Sequence, residues 1–425
     1  MKILWFAHTP SNYSPSGAGQ IGGGWVSALE SEISGKVELA HSFLTSVPSG
    51  NEAGVHRIGK ISWKKVQKSG VTYYPIYNGW DRTEGARLAS LIKGIKEQIG
   101  ELRQAYEKIV EDFCPDVIQV FGSEHSYGLV ASGTSTPTVL HVQGIAEPYF
   151  ANYLPPGISW GKYIRSSRSL KEAVHKVEKK YWWMRQCAIE REMFLHIDNY
   201  LARTDWDKEQ ILKVNPSAKF FYGGEILRQP FYDADIDKIS EIPSSLKLIS
   251  TVSDPPYKGF DVILRTAEIL KKEYMLDFEW KVYGNVRPEF FEKITHLRSG
   301  DVGVEVCGVA SAEQLVDAMG HASMYVHPSY IDNSPNSVCE AQLLGAAVVA
   351  TSVGGVPSLI EDGQTGFLVH SGRPDEIAER VVALYRNKAL LRKVGRQGRQ
   401  VALQRHDREK IVEDLFKVYS ILSKK

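Results

Sequence analysis

Short β-branched runs alternate with longer helix-period stretches along most of the chain, and they do so in two successive series. That pattern predicts an α/β protein of two Rossmann-like domains facing each other. Two further observations agree with it. A length of 425 residues suffices for two or three domains, and a polar, acidic, unpatterned stretch from Pro230 to Ser245 separates the series. The expected division is an N-terminal domain over 1–230 and a C-terminal domain over 240–404.

In the first series the predicted strands are Ile3–Phe6, Val37–Phe43, Val71–Ile76, Val117–Phe121, Thr138–Val142 and Tyr200–Ala202. Between them Leu88, Ile92, Ile95, Ile99, Leu102, Tyr106 and Ile109 recur at three- and four-residue steps, the period of one helix face. In the second series Leu248–Thr251, Trp280–Tyr283, Val304–Cys307, Met324–Val326, Val348–Ala350 and Phe367–Val369 read as strands. Helices are expected at Phe260–Lys271, Pro288–Leu297, Ala312–Met319, Ser337–Leu344 and Pro374–Tyr385, with a last one from Arg408 to Leu422. Ser311 and Gln314 have the spacing of a capping box, which supports one of those starts. Buried strands alternating with helices imply parallel sheets covered on both faces.

One segment departs from the alternation. Gly161 to Glu192 reads as one long helix, rich in lysine and arginine, with Trp182 and Trp183 among them. Val174, Val177, Tyr181, Met184 and Ala188 share one face. The plain expectation is a helix packed on its domain with its charges solvated. The alternative is a docking surface for an anionic membrane or a lipid-linked acceptor.

Composition removes several classes. With 51 basic against 50 acidic side chains the net charge is +1, which lacks the basic excess of a nucleic-acid binder. Four widely spaced cysteines form neither a disulfide framework nor a zinc site. The opening apolar run stops at His8, short of a signal peptide, and no segment reaches the ~18 apolar residues of a membrane span. A soluble cytoplasmic protein is expected, with peripheral contact to the inner face of a membrane as the alternative for 161–192.

Three constellations offer chemistry. The run Ser16-Gly-Ala-Gly-Gln-Ile-Gly-Gly-Gly24 precedes a helix with Trp25, Val26 and Leu29, and glycines there let a backbone approach an anion at the helix start. Gly17, Gly19 and Gly22 spell G-x-G-x-x-G, but strand two ends without the acidic residue of a dinucleotide site. By itself the run fits a loop as well as a phosphate contact. Lys258, in Asp254-Pro-Pro-Tyr-Lys-Gly259, stands between a strand end and a helix start, where open α/β sheets bind ligands. A solvated loop lysine is its ordinary alternative. The third string is the most specific. From His327 through Asp332, Asn336 and Glu340 to Gly354-Gly355, a strand, a polar loop, a helix with an early carboxylate and a glycine pair succeed one another. The helix start suits a phosphate, and Glu340 suits the vicinal hydroxyls of a ribose.

This string resembles the donor-binding region of the family 4 glycosyltransferases, retaining enzymes of the GT-B fold. Their pattern runs Pro-Ser, Glu-x7-Glu, Gly-x-Pro-Val-Val-Ala-Thr and Gly-Gly. The chain has Asp332 at the first glutamate, Ala347 at the proline and Ser358 where a glutamate often follows the glycine pair. The resemblance extends through Glu361-Asp-Gly-Gln-Thr-Gly366, Lys258-Gly259, Gly308-Val309 and the Gly22–Gly24 loop. It also takes in the final helix, which implies that 405–425 crosses back to the first domain.

The resemblance implies roles. Glu340 is the ribose ligand, Asp332 lies near the donor sugar, and Lys258 meets the diphosphate. His141, in Val139-Leu-His-Val-Gln-Gly144, faces the donor sugar and supports positive charge at the anomeric carbon. The implied catalytic set is His141, Asp332 and Lys258. The implied donor-binding set is Gly23, Gly24, Lys258, Val309, Asn336, Ser337, Val338 and Glu340. Where the family has Gly-Arg upstream of its lysine, this chain has Val252-Ser253.

The reaction so implied is transfer from a nucleotide-diphosphate sugar to a saccharide, lipid-linked or small-molecule acceptor in glycan or polysaccharide biosynthesis. No cofactor and no metal are expected. The pairs Asp205-Trp-Asp207 and Asp233-Ala-Asp235-Ile-Asp237 have metal-site spacing, but the first reads as a strand end entering a helix and the second as linker. A GT-B fold also hosts nucleotide-sugar epimerases and glycogen phosphorylases. A two-lobed sugar-binding protein is the rival from another class.

Overall fold

The computed structural model describes residues 1–13, 24–45, 53–79, 95–236 and 243–424. The first half opens with β1 (Lys2–Phe6), α1 (Gly24–Ile33), β2 (Glu38–Thr45), β3 (Val55–Ile58), β4 (Ile61–Lys64), β5 (Val66–Lys68) and β6 (Val71–Asn78). It continues with α2 (Ile95–Phe113), β7 (Val117–Phe121), β8 (Thr138–His141), α3 (Ala146–Ala151), α4 (Trp160–Arg165), α5 (Leu170–His196), β9 (Asn199–Ala202), α6 (Asp205–Leu212) and β10 (Lys219–Tyr222). These ten strands form one sheet in the order β10-β9-β8-β7-β1-β2-β6-β4-β3, with β5 paired to β6. All six predicted strands are present and pair in parallel. Leu88 and Ile92 of the predicted helix lie outside the described residues.

Three further strands, which the sequence reading did not include, make one margin of this sheet antiparallel. β3 pairs with β4, and β4 and β5 pair with β6, all antiparallel. These strands are three or four residues long, and β3 and β5 bury no residue fully. They lack the two-sided apolar run that marks a buried strand. On the rest of the sheet the alternation of β1 sorts the core. Leu4 and Phe6 pack with Tyr106 and Ile109 of α2 and Met193 of α5 on one face. Ile3 and Trp5 pack with Trp25 and Leu29 of α1 on the other.

The second half contains α7 (Gln229–Asp233), β11 (Leu246–Thr251), α8 (Phe260–Lys272), β12 (Phe278–Tyr283), α9 (Pro288–Thr295), β13 (Val304–Gly308), α10 (Ala312–Gly320) and β14 (Met324–His327). Then come α11 (Asn336–Leu343), β15 (Ala347–Thr351), β16 (Phe367–Val369), α12 (Pro374–Arg386), α13 (Lys388–Arg405) and α14 (Arg408–Leu422). Six parallel strands run β13-β12-β11-β14-β15-β16. The Ser311–Gln314 capping box is formed in both directions. α13 has no counterpart in the sequence reading. Its inward face is Leu391, Val394, Gly395, Gly398 and Ala402, too small and too sparse to register as an apolar stripe.

Two passages of chain join the halves. After β10 the chain enters α7, whose Phe231 is buried with Ile249, Tyr325 and Leu343 of the second sheet's core. The stretch expected to be an unpatterned linker therefore begins with a packed helix; 237–242 of it lie outside the described residues. At the other end, Ile411, Leu415 and Tyr419 of α14 pack against Ile3 and Trp5 of the first sheet. The Trp5 indole N–H donates to Tyr419 Oη at 2.9 Å, and the Tyr419 hydroxyl bonds Gln119 Oε1. The two passages touch. His406 Nδ1 donates to the Glu225 carbonyl and the Tyr232 hydroxyl donates to the His406 carbonyl, each at 2.8 Å.

The basic segment is two helices, α4 and α5, with Ser169 capping the second through the Glu172 N–H. α5 packs on the first domain, but through a different face from the apolar stripe. Lys176, Trp183, Gln186, Ile189 and Met193 face inward, while Val174, Tyr181 and Met184 are exposed. Lys176 is buried because the Tyr163 carbonyl, Ser166 Oγ and Glu172 all bind its ammonium, at 3.2, 3.0 and 2.9 Å. Among the described residues no helix is long and apolar enough to cross a membrane.

Candidate functional site

β11 has β12 on one side and β14 on the other, so the strand order reverses there. A crevice opens at the carboxyl ends of such neighbouring strands. The loop after β11 carries Lys258, and the loop after β14 carries Asp332 and leads into α11. The two loops are fastened together. The Tyr330 N–H donates to the Tyr257 carbonyl at 2.7 Å. Gly259, at φ 76°, lies so close to the Pro328 carbonyl that any Cβ would collide with it.

Lys258 Nζ is 2.7 Å from Asp332 Oδ2, and His327 Nε2 is 3.1 Å from the same oxygen. The other oxygen, Oδ1, accepts from the Tyr149 hydroxyl at 3.3 Å. Burial alone would raise the Asp332 pKa, but Lys258 and then His327 outweigh it and hold the carboxyl well below the usual range. Asp332 is thus a saturated anion that orients Lys258. The glycine pair Gly354-Gly355 packs on the Asp332 and Asn333 carbonyls, where a side chain would clash, and the Gly355 N–H donates to Asp332 at 3.1 Å.

Glu340, in α11, is deeply buried with its side chain 5% exposed. Arg228 Nε and Nη2 donate to its two oxygens, both at 2.7 Å. Burial pushes the Glu340 pKa up while Arg228 works against it. At the start of the same helix Arg203 Nη1 donates to Asn336 Oδ1 at 3.3 Å and lies 2.6 Å from Glu225. Val338 is buried, Ser337 is half-buried beside Tyr325, and Val309 is exposed after β13.

His141 stands at the end of β8. Its ring is 2% exposed and engaged inside the first domain, with Nε2 3.2 Å from the Gly223 carbonyl and Nδ1 3.5 Å from Gln119 Nε2. Burial, then the Arg203 charge, pull its pKa down to about 3, so the ring is neutral. Its backbone carbonyl accepts the Gly122 N–H at 2.8 Å. The carbonyl keeps a second lone pair beyond that bond. Gly23 lies outside the described residues; Gly24 begins α1 and rests against the aliphatic part of Arg228.

The first domain reaches the crevice through residues that the sequence reading did not single out. The Tyr149 hydroxyl accepts the Asn333 N–H at 2.9 Å, Asn333 Nδ2 donates to the Gln143 carbonyl at 3.1 Å, and Thr204 Oγ1 donates to Asn333 Oδ1 at 3.3 Å. Glu124, after β7, is pushed up to about 7 by burial, against hydrogen bonds from its own and the Ser123 N–H. None of these residues stands in a periodic or spaced motif. Arg228 had one indirect signal, the absence of an arginine at 252–253.

The Asp-x-Asp pair is spent on local structure. Asp207 completes a capping box with Thr204 at the start of α6, and Asp205 pairs with Lys208 at 3.2 Å. Among the described residues no three histidines, cysteines or carboxylates are grouped to hold a metal.

Residues 246–387 match the family model described as glycosyl transferases group 1. An uncharacterized glycosyltransferase of Methanocaldococcus jannaschii is 26% identical over 170 residues, 40% of this chain and 46% of that one. A D-inositol 3-phosphate glycosyltransferase of Streptomyces avermitilis is 34% identical over 151 residues, 33% of this chain and 32% of that one. The chain therefore spans less than half the length of these curated relatives. Two solved structures share the whole architecture. Sucrose-phosphate synthase of Thermosynechococcus elongatus superposes with a TM-score of 0.68 at 14% identity, covering 99% of this chain and 98% of that one. Anabaena Alr3699/HepE in complex with UDP and glucose gives 0.61 at 15% identity, covering 99% of each. The second sheet thus lies within a segment that matches the group 1 glycosyl transferases, and the two sheets together have the GT-B fold of those solved structures.

Proposed function

We propose that the protein is a retaining glycosyltransferase, moving a sugar from a nucleotide-diphosphate sugar to an acceptor hydroxyl without a metal. One observation carries the reading. Lys258, Asp332, Glu340 and the start of α11 converge on the crevice between β11 and β14, the place where such a fold binds a ligand. A lysine and a helix N-terminus supply a positive field for a leaving diphosphate. Glu340 suits a ribose. Asp332 acts by holding Lys258. The departing phosphate takes the acceptor proton, so the reaction needs no separate pair of acid and base carboxylates.

A mass-spectrometric screen of UDP-, GDP- and ADP-sugars for release of the nucleoside diphosphate, with and without excess EDTA, tests both halves. Release from one class of donor that survives EDTA is expected. Loss of activity in EDTA, restored by Mg²⁺ or Mn²⁺, would overturn the metal-free account. Release from no donor would overturn the transferase reading.

For the acceptor, a lipid-linked saccharide presented at the cytoplasmic face of an anionic membrane is favoured by α5. Leu170, Tyr181 and Met184 project from it, 82%, 43% and 48% exposed, beside Lys171 and Lys180. A groove of about 1130 Å³ runs from this helix past Tyr163 and Arg168 to Asp254 and Pro256, beside the Lys258 loop. All four cysteines are unbridged, in keeping with a reducing compartment.

A further inference from the structure

Lys258 does not bring a whole positive charge to the crevice, because Asp332 lies 2.7 Å from its ammonium. The loop after β11 supplies no second cation at Val252 or Ser253. A diphosphate carries at least two negative charges, so the second domain alone leaves the leaving group under-compensated.

Two arginines stand at the crevice, and they differ in freedom. Arg203 is buried, 2.6 Å from the equally buried Glu225, and also bonds Asn336. Arg228 is 34% exposed. It caps the start of α7 at the passage between domains, and both its donors rest on Glu340, each at 2.7 Å. Its Cγ and Cδ lie 3.6 and 3.8 Å from where a Cβ on Gly24 would stand, so the guanidinium sits between the start of α1 and the carboxylate of α11.

We propose that Arg228 is the second diphosphate-binding cation, passing from Glu340 to the diphosphate when ribose hydroxyls take over the carboxylate. This rests on the donor-site reading above. The exchange follows from the little space around the carboxylate. Glu340 is 5% exposed, so vicinal hydroxyls reaching both its oxygens must crowd the side from which the guanidinium approaches. The displaced fork needs a new pair of anionic oxygens, and the same ligand delivers one on its phosphates. Glu340 thereby reports ribose, and Arg228 couples that report to grip on the phosphates.

Calorimetry on the whole chain with UDP, GDP and ADP, and with uridine, guanosine and adenosine, tests the exchange in wild type, Arg228→Ala and Arg228→Gln. The diphosphate that wild type prefers should bind roughly ten- to a hundredfold more weakly to both variants. Its nucleoside should bind as well as before, or better, since a competitor for Glu340 is gone. Equal weakening of nucleoside and diphosphate would mean that Arg228 only props Glu340, and the proposal would fall. Unchanged diphosphate binding would overturn it as well. If wild type bound none of the three diphosphates, the donor-site reading itself would fail. Arg228→Gln retains a hydrogen-bond donor for Glu340, so its nucleoside affinity separates an intact fold from a damaged one.

Discussion

Lys258 and Asp332, which stand in different loops 74 positions apart, form one ion pair at 2.7 Å. The pairing makes each residue's effect depend on the other. Asp332→Asn keeps the shape but removes a negative charge from beside the diphosphate. Free nucleoside diphosphate should then bind more tightly, while turnover falls because Lys258 is no longer oriented. Calorimetry and initial rates check the two halves. Weaker diphosphate binding in this variant would show that Asp332 contacts the ligand itself.

Glu340→Ala should abolish most nucleotide affinity, and it should not be silent for the fold. The carboxylate is buried, and its removal leaves the partly exposed Arg228 without its bidentate partner. A stability loss of about 1–2 kcal/mol is expected, small because solvent can reach the guanidinium. Urea unfolding of this variant and of Glu340→Gln measures it.

Glu190 gives a pH signature. Burial raises its pKa from 4.5 to about 8, despite hydrogen bonds from Ser123 and the Ala146 N–H. Between those values the folded state binds a proton that the unfolded state lacks, so stability falls as pH rises through the window. Glu190→Gln should melt near the wild-type temperature at pH 5 and above it at pH 9. A melting difference that is constant with pH would mean that the carboxyl does not titrate there.

The outward face of α5 predicts vesicle binding. Replacing Leu170, Tyr181 and Met184 with Ser should weaken co-sedimentation with anionic vesicles, and salt should weaken it in wild type. Lys176 is a poor probe because its ammonium is held inside. Wild-type protein that ignores anionic vesicles would return α5 to a plain solvated helix.

Buried parallel strands were legible because each is a short apolar run with its own boundaries, and α14 ends where its apolar period ends. The motif from Asp332 to Gly355 was legible because its parts lie close in sequence. The strands β3, β4 and β5 were not, since three or four residues with polar side chains among them are too few to carry a period. Tyr149, Arg203 and Arg228 reach the crevice from distant segments, and only tertiary packing brings them there. The bond between the His141 ring and the Gly223 carbonyl, 82 positions away, was hidden for the same reason. The basic helix misled in a different way, because an apolar stripe reads the same whether it faces a core or solvent.

The two passages between domains run side by side, tied by His406 to Glu225 and by Tyr232 to His406. The Arg408 guanidinium also lies over the Tyr232 ring, 4.4 Å from its centroid. Two strands of chain clasped together act as a strap hinge, with one axis rather than a free pivot. On either side of that line α14 packs with the first sheet and α7 with the second. Burial holds the His406 pKa down to about 3, so the clasp keeps the same protonation at neutral and mildly acidic pH. The halves are thus tied twice, along this clasp and across the crevice from Tyr149 to Asp332 and from Thr204 to Asn333.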